Sequence, residues 1–206
     1  GNVADNLKAL GANVELITNA NQIKKTRFVD SRTNHMFIRI DEGEDDLFSP
    51  SQETLDNIVW SSYDAVIISD YCKGYIDEAT IKYITKKHPV TFLDTKKLIV
   101  DTMENIKFIK INDVEYEFSS DKMADWWKEK MIITRGPKGA EYKDITYPVE
   151  EVDVRDTSGA GDTFLAGLVY AYINEQNIES AIKFANKCAT QVVQKKGTAK
   201  INKLEL

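Results

Sequence analysis

The sequence predicts an α/β domain built on a parallel β-sheet, and three observations lead to that fold class. Short apolar segments rich in β-branched residues recur at positions 65–69, 90–94, 106–111 and 131–134. Their apolar residues are consecutive rather than alternating, which is typical of strands buried on both faces. Stretches with helical character separate them, near 52–60, 77–88 and 113–129. Alternation of this kind favours parallel strands joined by helical crossovers.

The segments before and after this core have patterns of their own. Residues 4–12 predict a short helix that ends at Gly11, because glycine is common just after a helix terminus. In residues 26–41, aromatic and branched side chains flank a polar turn, and this pattern predicts a β-hairpin. Residues 142–154 predict extended structure at the edge of the sheet.

Two helices are predicted near the end of the sequence. Residues 161–174 are apolar on nearly all sides, which indicates a buried helix. Residues 178–195 repeat apolar side chains at helical spacing, with Asn177 as a candidate N-cap.

Length and composition limit the function classes. A chain of 206 residues fits a single domain, 1–206, in which the hairpin 26–41 would be a small lid. The net charge of −6 opposes nucleic-acid binding, and no apolar run reaches the ~18 residues that span a bilayer. Two cysteines far apart and two histidines indicate neither a disulfide framework nor a zinc site. We therefore expect a cytoplasmic protein without nucleic-acid or membrane partners.

The segment "RDTSGAGDTFLAG" at 155–167 places a glycine turn directly before the predicted buried helix. Gly159 and Gly161 allow a tight turn, and the first N–H groups of a helix lack internal acceptors, so the turn can bind an anion. Asp162 is then either an acid at the helix start that interacts favourably with the helix dipole, or a base beside a bound phosphoryl group. Neither the dinucleotide pattern G-x-G-x-x-G nor the P-loop pattern G-x-x-x-x-G-K-[ST] is present.

The string "DTSGAGDTFLAG" resembles the C-terminal signature of the ribokinase-like (PfkB) sugar kinases, D-T-x-G-A-G-D followed by a buried helix. The resemblance implies a ribokinase-like α/β/α fold and a kinase that uses ATP and Mg²⁺. It implies that Asp162 is the catalytic base and that Asp156 and Thr157 shape the turn beside the nucleotide phosphates. It also implies an anion hole formed by the N–H groups of Gly159, Ala160 and Gly161.

Further motifs follow in the order that this family shows. "INDVE" resembles its N-x-x-E motif, which implies that Asn112 and Glu115 organise Mg²⁺. An N-cap asparagine with a glutamate three residues later would explain the same string.

The nucleotide side of the site is implied by two weaker motifs. "TRGPKGA" resembles the T-x-G-x-x-G loop, so Thr134, Gly136 and Gly139 would lie beside ATP. "FANKCAT" puts Asn186 where family members line the adenine pocket, although an exposed helical asparagine would look the same.

Within this family the sequence is similar to the kinase domain of the bacterial heptose 7-phosphate kinase/ADP-heptose synthases. The matching strings are "TRFVDSRTNHMFIRIDE" and "SDYCKG". They imply that Arg27 and Arg32 bind a sugar phosphate, that Asp70 and Lys73 lie near the sugar or phosphates, and that Asn2 contacts the substrate. The expected reaction is phosphorylation at C1 of D-glycero-D-manno-heptose 7-phosphate. The alternatives are a kinase for another sugar or nucleoside, and a non-catalytic nucleotide-binding module.

Some parts of the family pattern are not matched. The strand that precedes the Asn2 segment, and a helix and strand near 18–25, have no counterpart in this sequence. Thr95 and Lys97 stand where the subgroup has proline and glycine, which leaves the role of Lys96 open. A missing first strand would expose the edge of its neighbour, and exposed edges favour pairing. We therefore expect a homodimer formed through the lid or the exposed sheet edge.

Overall fold

The computed structural model describes residues 1–19, 23–33, 35–43, 47–120 and 125–205. Its strands are β1 (Lys24–Val29), β2 (Met36–Glu42), β3 (Val66–Asp70), β4 (Thr91–Thr95), β5 (Phe108–Asn112), β6 (Met131–Thr134), β7 (Ala140–Tyr142) and β8 (Ile145–Tyr147). Its α-helices are α1 (Asn2–Leu10), α2 (Gln52–Asp56), α3 (Glu78–Lys87), α4 (Asp113–Ser119), α5 (Ala160–Glu175) and α6 (Ile178–Val193).

Strands β3 to β8 form one sheet and lie side by side in chain order. Strands β3, β4, β5 and β6 are parallel, whereas β7 and β8 are antiparallel to their neighbours. The predicted parallel α/β sheet is therefore confirmed for its first four strands. The last two strands reverse direction because the turns between them are too short for a parallel crossover.

Residues along the parallel strands alternate between two apolar cores. Phe92, Phe108 and Ile132 pack on the face that α1, α5 and α6 cover. Leu93 and Ile109 pack on the opposite face, which α3 and the segment around Trp127 cover. Because both faces are buried, each of these strands has apolar residues at consecutive positions, and this is the pattern that predicted them.

Helices α5 and α6 pack closely at Gly167. A Cβ at this position would lie 2.9 Å from Sγ of Cys188 and 3.2 Å from Cα of Ala185, so only glycine fits between the helices. The predicted helix ends nearby are confirmed. Asn177 caps α6 by accepting from the N–H of Ser180, and Gly11 ends α1 in the left-handed conformation.

Several predicted elements are shorter in the structure. The helix predicted near 52–60 is α2 followed by a 3₁₀ turn at Trp60–Ser62, and the helix predicted near 113–129 is α4 with a 3₁₀ turn at Asp125–Glu129. Helix α2 buries only Leu55, and α4 buries only Ser119, which is too little packing to stabilise longer helices. Residues 121–124, and residues 20–22 of the segment discussed at 18–25, lie outside the described residues.

The chain that leads from the sheet to α5 also differs from the expectation. Extended structure was expected over 142–154, but strand pairing ends at Tyr147, where β8 ends. Residues 148–154 form no strand, because β8 is the last strand of the sheet and has no further neighbour beyond it.

The hairpin predicted at 26–41 is confirmed as the antiparallel pair of β1 and β2. Its register places Phe28 opposite Ile38 and Arg27 opposite Arg39, so these apolar and cationic pairs lie on opposite faces of the hairpin. Of the helices among the described residues, none is long and apolar enough to cross a membrane.

The turn between β6 and β7 generates a prediction for stability. Gly139 has φ +89°, and a Cβ there would lie 2.1 Å from the carbonyl oxygen of Tyr147. Gly136 in the same turn has φ +54° but open space around it. We expect Gly139→Ala to lower the free energy of unfolding by at least ~3 kcal/mol, because overlap adds to backbone strain. Gly136→Ala, which carries strain alone, should cost ~1–2 kcal/mol.

Urea unfolding of both variants measures these costs. Equal destabilisation of the two variants would show that the contact between Gly139 and the chain at Tyr147 does not constrain this turn.

Candidate active site

Three polar side chains form a row across the parallel strands near their carboxyl ends. In the strand register Ser69 on β3 lies beside Asp94 on β4, and Asp94 lies beside Lys110 on β5. Asp94 and Lys110 each come two residues after a phenylalanine of the core under α5, so they point to the α5 side of the sheet. Nζ of Lys110 is 3.0 Å from Oδ2 of Asp94. A buried ion pair therefore lies beneath the start of α5.

The start of α5 is shaped by the predicted glycine turn. Gly159 has φ +82° and precedes the first residue of the helix. A Cβ at this glycine would lie 2.5 Å from Nδ2 of Asn2, which shows how closely the turn packs on α1. The turn is held by Asp156, whose carboxylate accepts from the N–H groups of Ser158 at 2.8 Å and Gly197 at 3.0 Å.

The pKa of Asp156 reflects these contacts. The N–H of Ser158 lowers the pKa of this carboxyl, and the N–H of Gly197 and the charge of Arg27 act in the same direction. The hairpin that carries Arg27 is thus electrostatically linked to the loop before α5. Thr157, the other loop residue that the resemblance selected, accepts from the N–H of Ala160 at 3.2 Å.

The predicted anion hole of three N–H groups is only partly available. The N–H of Ala160 is used by the carbonyl of Thr157. Within the part of the chain that the structure describes, the N–H groups of Gly159 and Gly161 donate to no protein acceptor. Unpaired N–H groups at the start of a 16-residue helix carry the positive end of its dipole.

The carboxylate of Asp162 is held from two sides. Nδ2 of Asn2 donates to Oδ2 at 3.1 Å, and the hydroxyl of Tyr71 donates to Oδ1 at 2.7 Å. Asn2 is on α1 and Tyr71 follows β3, so three distant parts of the sequence meet at this carboxylate. Its position is fixed, as a general base requires.

Tyr71 also contacts two lysines. Nζ of Lys96 lies 5.8 Å and Nζ of Lys25 lies 6.0 Å from the centre of its ring, both within cation–π distance. Burial raises the pKa of Tyr71, and the charge of Asp162 raises it further, so the phenol stays protonated and donates. Since Lys25 belongs to β1, the hairpin reaches over the site.

A cavity of about 210 Å³ lies between the carboxyl ends of the strands and the start of α5. The described residues that line it are Ser69, Asp70, Tyr71, Asp94, Lys96, Lys110, Asn112, Glu115, Gly159, Gly161 and Asp162. Ligands of open α/β sheets bind at this end of the strands. The structure thus brings six of the predicted site residues to one cavity, and Asn2 adjoins them through Asp162.

Asn112 and Glu115 form a capping box at the start of α4. The side chain of Asn112 accepts from the N–H of Glu115, and the side chain of Glu115 accepts from the N–H of Asn112, each at 2.8 Å. This contact matches the alternative interpretation of "INDVE" and leaves the second oxygen of Glu115 for the cavity. Among the described residues no group of three acidic, cysteine or histidine side chains could hold a metal. The oxygen donors present fit Mg²⁺ held mainly through water and phosphate oxygens.

The predicted nucleotide loop lies at the carboxyl end of β6, next to the cavity. Thr134 pairs with Asn112 in the sheet register, and its hydroxyl donates to the carbonyl of Ile111 at 3.2 Å. Gly136 and Gly139 form the turn that follows. Asn186 is buried and donates to the carbonyl of Tyr147 at 2.7 Å, so the alternative of an exposed asparagine is wrong, and its place beside adenine stays a prediction.

Four side chains were predicted to contact the acceptor from β3 or the hairpin, and the structure gives them different surroundings. Asp70 is buried, accepts from Thr95 and pairs with Lys97 at 2.9 Å, so its carboxylate is already neutralised. Arg27 is linked to Asp156 as described above. Arg32 lies in the turn of the hairpin and is exposed. Neither arginine, nor Lys73, is among the described residues that line the cavity.

Tyr71, Asp94 and Lys110 were not selected from the sequence. Each has a recognisable feature in the sequence. Tyr71 lies within "SDYCKG", Asp94 is the last residue of the apolar segment 90–94, and Lys110 is a charged residue inside the apolar segment 106–111. A charged residue in a strand buried on both faces requires a partner. That partner comes from the neighbouring strand and is seen only once the register is known.

Solved structures with the same fold are enzymes named as kinases. A nucleoside kinase of Methanocaldococcus jannaschii, titled an archaeal member of the ribokinase family, has a TM-score of 0.68 at 22% identity, over 96% of this chain and 79% of that one. The ribokinase of Arabidopsis thaliana complexed with ribose and ATP has a TM-score of 0.67 at 17% identity, over 91% and 70%. The fold of this chain is therefore ribokinase-like, as predicted.

The family follows from the sequence itself. The profile of the pfkB family carbohydrate kinases matches residues 2–204. This chain therefore belongs to the pfkB family of carbohydrate kinases.

Curated relatives share the name Bifunctional protein HldE. The one from a Nitratiruptor species is 29% identical over 248 residues, which cover 97% of this chain and 53% of the relative. The one from Granulibacter bethesdensis is 30% identical over 220 residues, covering 89% of this chain and 44% of the relative. The chain spans about half the length of the curated relatives it matches.

Proposed function

We propose that this chain transfers the γ-phosphoryl group of ATP to C1 of D-glycero-D-manno-heptose 7-phosphate. The observation that carries the proposal is the placement of Asp162. Its carboxylate lines a cavity at the carboxyl ends of the strands and lies beside the unpaired N–H of Gly161 at the start of α5. A base next to a phosphate-binding helix terminus is the arrangement that phosphoryl transfer to an alcohol requires.

In the proposed reaction Asp162 accepts the proton of the acceptor hydroxyl as the phosphoryl group moves in line. Asn2 and Tyr71 hold the carboxylate in place, so no conformational entropy is lost in orienting it during the reaction. General-base assistance is worth ~10²–10⁴-fold in rate. The N–H groups of Gly159 and Gly161 would stabilise the charge that develops on the phosphoryl oxygens, and a well-placed donor is worth ~10²–10³-fold.

ATP would lie along the carboxyl ends of β5 and β6. Thr134, Gly136 and Gly139 would contact the nucleotide, with Asn186 on its adenine side and Thr157 beside its phosphates. Mg²⁺, held by the phosphates, water, Asn112 and Glu115, would neutralise phosphate charge. Glu115 lines the cavity with one oxygen left free by the capping box, which supports this assignment.

A phosphorylated acceptor suits the charges of the hairpin. Lys25 and Arg27 are on the charged face of β1, Lys25 lies over Tyr71, and the charge of Arg27 acts on Asp156 near the start of α5. Together with Arg32, these cations would bind the phosphate at the far end of the sugar. Closure of the hairpin would exclude water and limit hydrolysis of ATP.

The acceptor is tested with a panel of compounds, ATP and Mg²⁺, with product analysis by mass spectrometry. We expect D-glycero-D-manno-heptose 7-phosphate to be phosphorylated with a kcat/KM at least ~10-fold above heptose without its phosphate, since charge-assisted contacts of the phosphate are lost. If another sugar or a nucleoside is the preferred substrate, the proposed acceptor is wrong and the proposed phosphoryl transfer from ATP still holds. ATP binding without phosphorylation of any acceptor would instead favour a nucleotide-binding module.

The second prediction concerns the base. Asp162→Asn keeps the shape of the side chain and removes its basicity, so we expect unchanged ATP binding and a kcat at least ~100-fold lower. Glu175→Gln, at the exposed far end of α5, is the matched control and should keep wild-type turnover. Steady-state kinetics and calorimetry give the two quantities. Near wild-type kcat in Asp162→Asn would remove this carboxylate from the mechanism.

The chain is also proposed to act in the cytoplasm as a homodimer formed through the hairpin. The hairpin face opposite Lys25 and Arg27 has four exposed apolar side chains, with the ion pair of Lys24 and Glu42 at its end; the apolar members are Phe28, Met36, Ile38 and Ile40. An exposed apolar strand face is a candidate interface. We expect sedimentation equilibrium to give a dimer for the wild type and a monomer for Ile38→Glu. The control Val59→Glu changes an exposed apolar residue outside the hairpin.

A dimer that persists in Ile38→Glu would move the interface to another surface, the exposed edge strand β3 being the next to test. A wild-type monomer would end this part of the proposal.

A further inference from the structure

Lys110 is a buried cation at the floor of the cavity. It lies on β5, its side chain is 7% exposed, and Nζ forms an ion pair with Asp94 at 3.0 Å. Lysine is almost never buried to this degree without a role for its charge. Burying this ammonium group costs desolvation free energy, which the rest of the fold must offset.

One acceptor is too few for this ammonium group. A lysine ammonium has three N–H donors, and among the described residues Lys110 donates only to Oδ2 of Asp94. Buried polar groups are nearly always hydrogen-bonded. Because Lys110 lines the cavity, its remaining donors can reach a molecule bound there.

The ammonium group also lies against the start of α5. Nζ of Lys110 is 3.0 Å from the position that a Cβ on Gly161 would occupy. The N–H of Gly161 has no protein acceptor within the described residues. A fixed cation and a helix terminus thus meet at one end of the cavity, and the ligand that suits both is a tetrahedral anion.

The charges around Lys110 explain why such an anion would need it. Four carboxylates line the cavity: Asp70, which is paired with Lys97, and Asp94, Glu115 and Asp162. Burial raises the pKa of Asp94; Lys110 lowers it, and Glu115 and Asp162 raise it again. A phosphoryl group that enters beside these carboxylates is repelled unless a cation stands between them.

We propose that Lys110 is a catalytic residue that binds the transferred phosphoryl group, with Asp94 as its positioning residue. In the step, the acceptor oxygen bonds to phosphorus, the bond from phosphorus to the bridging oxygen breaks with its electrons going to ADP, and the proton goes to Asp162. Lys110 stays protonated and donates to the phosphoryl oxygens throughout. This inference rests on the proposed function, since it needs a phosphoryl group at the start of α5.

The test measures binding of ADP with aluminium fluoride, which imitates the phosphoryl group in transfer, and binding of ADP alone. We expect Lys110→Met to weaken binding of the ADP–aluminium fluoride complex at least ~10-fold and to leave ADP within ~2-fold, because the lost contact is to the transferred group only. In turnover, kcat should fall while the KM for the acceptor stays within ~2-fold. The control Lys107→Met removes an exposed lysine just before the same strand and should change neither quantity.

A second variant guards against misfolding. Lys110→Met leaves Asp94 buried without its partner, so Lys110→Met with Asp94→Asn removes both charges, and it should show the same selective loss. Thermal unfolding confirms that each variant is folded. If the double variant is folded and binds ADP–aluminium fluoride as tightly as the wild type, the inference is wrong.

The proposed function fails by a different result. A wild-type chain that phosphorylates no acceptor would end the proposed reaction, while the comparison of ADP–aluminium fluoride binding between wild type and variants would still decide the role of Lys110.

Discussion

The site depends on the contact between Gly159 and Asn2. The glycine adopts a left-handed conformation at the start of α5, and the side chain of Asn2 occupies the space that a Cβ would need. The same asparagine donates to Asp162, so one side chain sets both the turn and the carboxylate. Since Asn2 and Asp162 are 160 positions apart in the sequence, this carboxylate is in place only in the folded chain.

A second contact makes that arrangement rigid. Asn6, one turn after Asn2 on α1, donates to the hydroxyl of Thr163 at 3.2 Å and accepts from the N–H of Ile201 at 2.9 Å. Asn6 is fully buried, and a buried amide with partners on two other segments fixes their relative position. Helix α1 thereby helps to hold the start of α5 beside the cavity at the strand ends.

Two of the carboxylates that line the cavity are neutralised by lysines. Asp70 is paired with Lys97, and Asp94 with Lys110, so two neighbouring strands each end in a carboxylate with a lysine partner. Asp162 differs, because hydrogen-bond donors hold it and no ion pair among the described residues does. This difference suits the proposed mechanism, because a cation paired with a carboxylate lowers its pKa and so weakens it as a base.

Local sequence patterns determined the elements whose burial follows a regular pattern along the chain. The strands buried on both faces, the apolar helix α5 and the amphipathic helix α6 were predictable because packing requires apolar residues at regularly spaced positions. The glycine turn before Asp162 was predictable for a similar reason, since its conformation requires glycine. The lengths of α2 and α4 were not, because little of either helix is buried and tertiary contacts decide where such helices stop.

What only the tertiary structure decided is which side chains share the cavity. Lys110 lies outside the strings that match the family, and Tyr71 lies inside one that does not reveal its contact with Asp162. Their roles in the cavity come from strand register and from the approach of α1 and β1. The sequence by itself determined an α/β kinase fold with a glycine turn and an acid at one helix start. Contacts between segments that are distant along the chain placed Lys110 beneath the start of α5 and the hydroxyl of Tyr71 against Asp162, and strand register is one of these long-range relations.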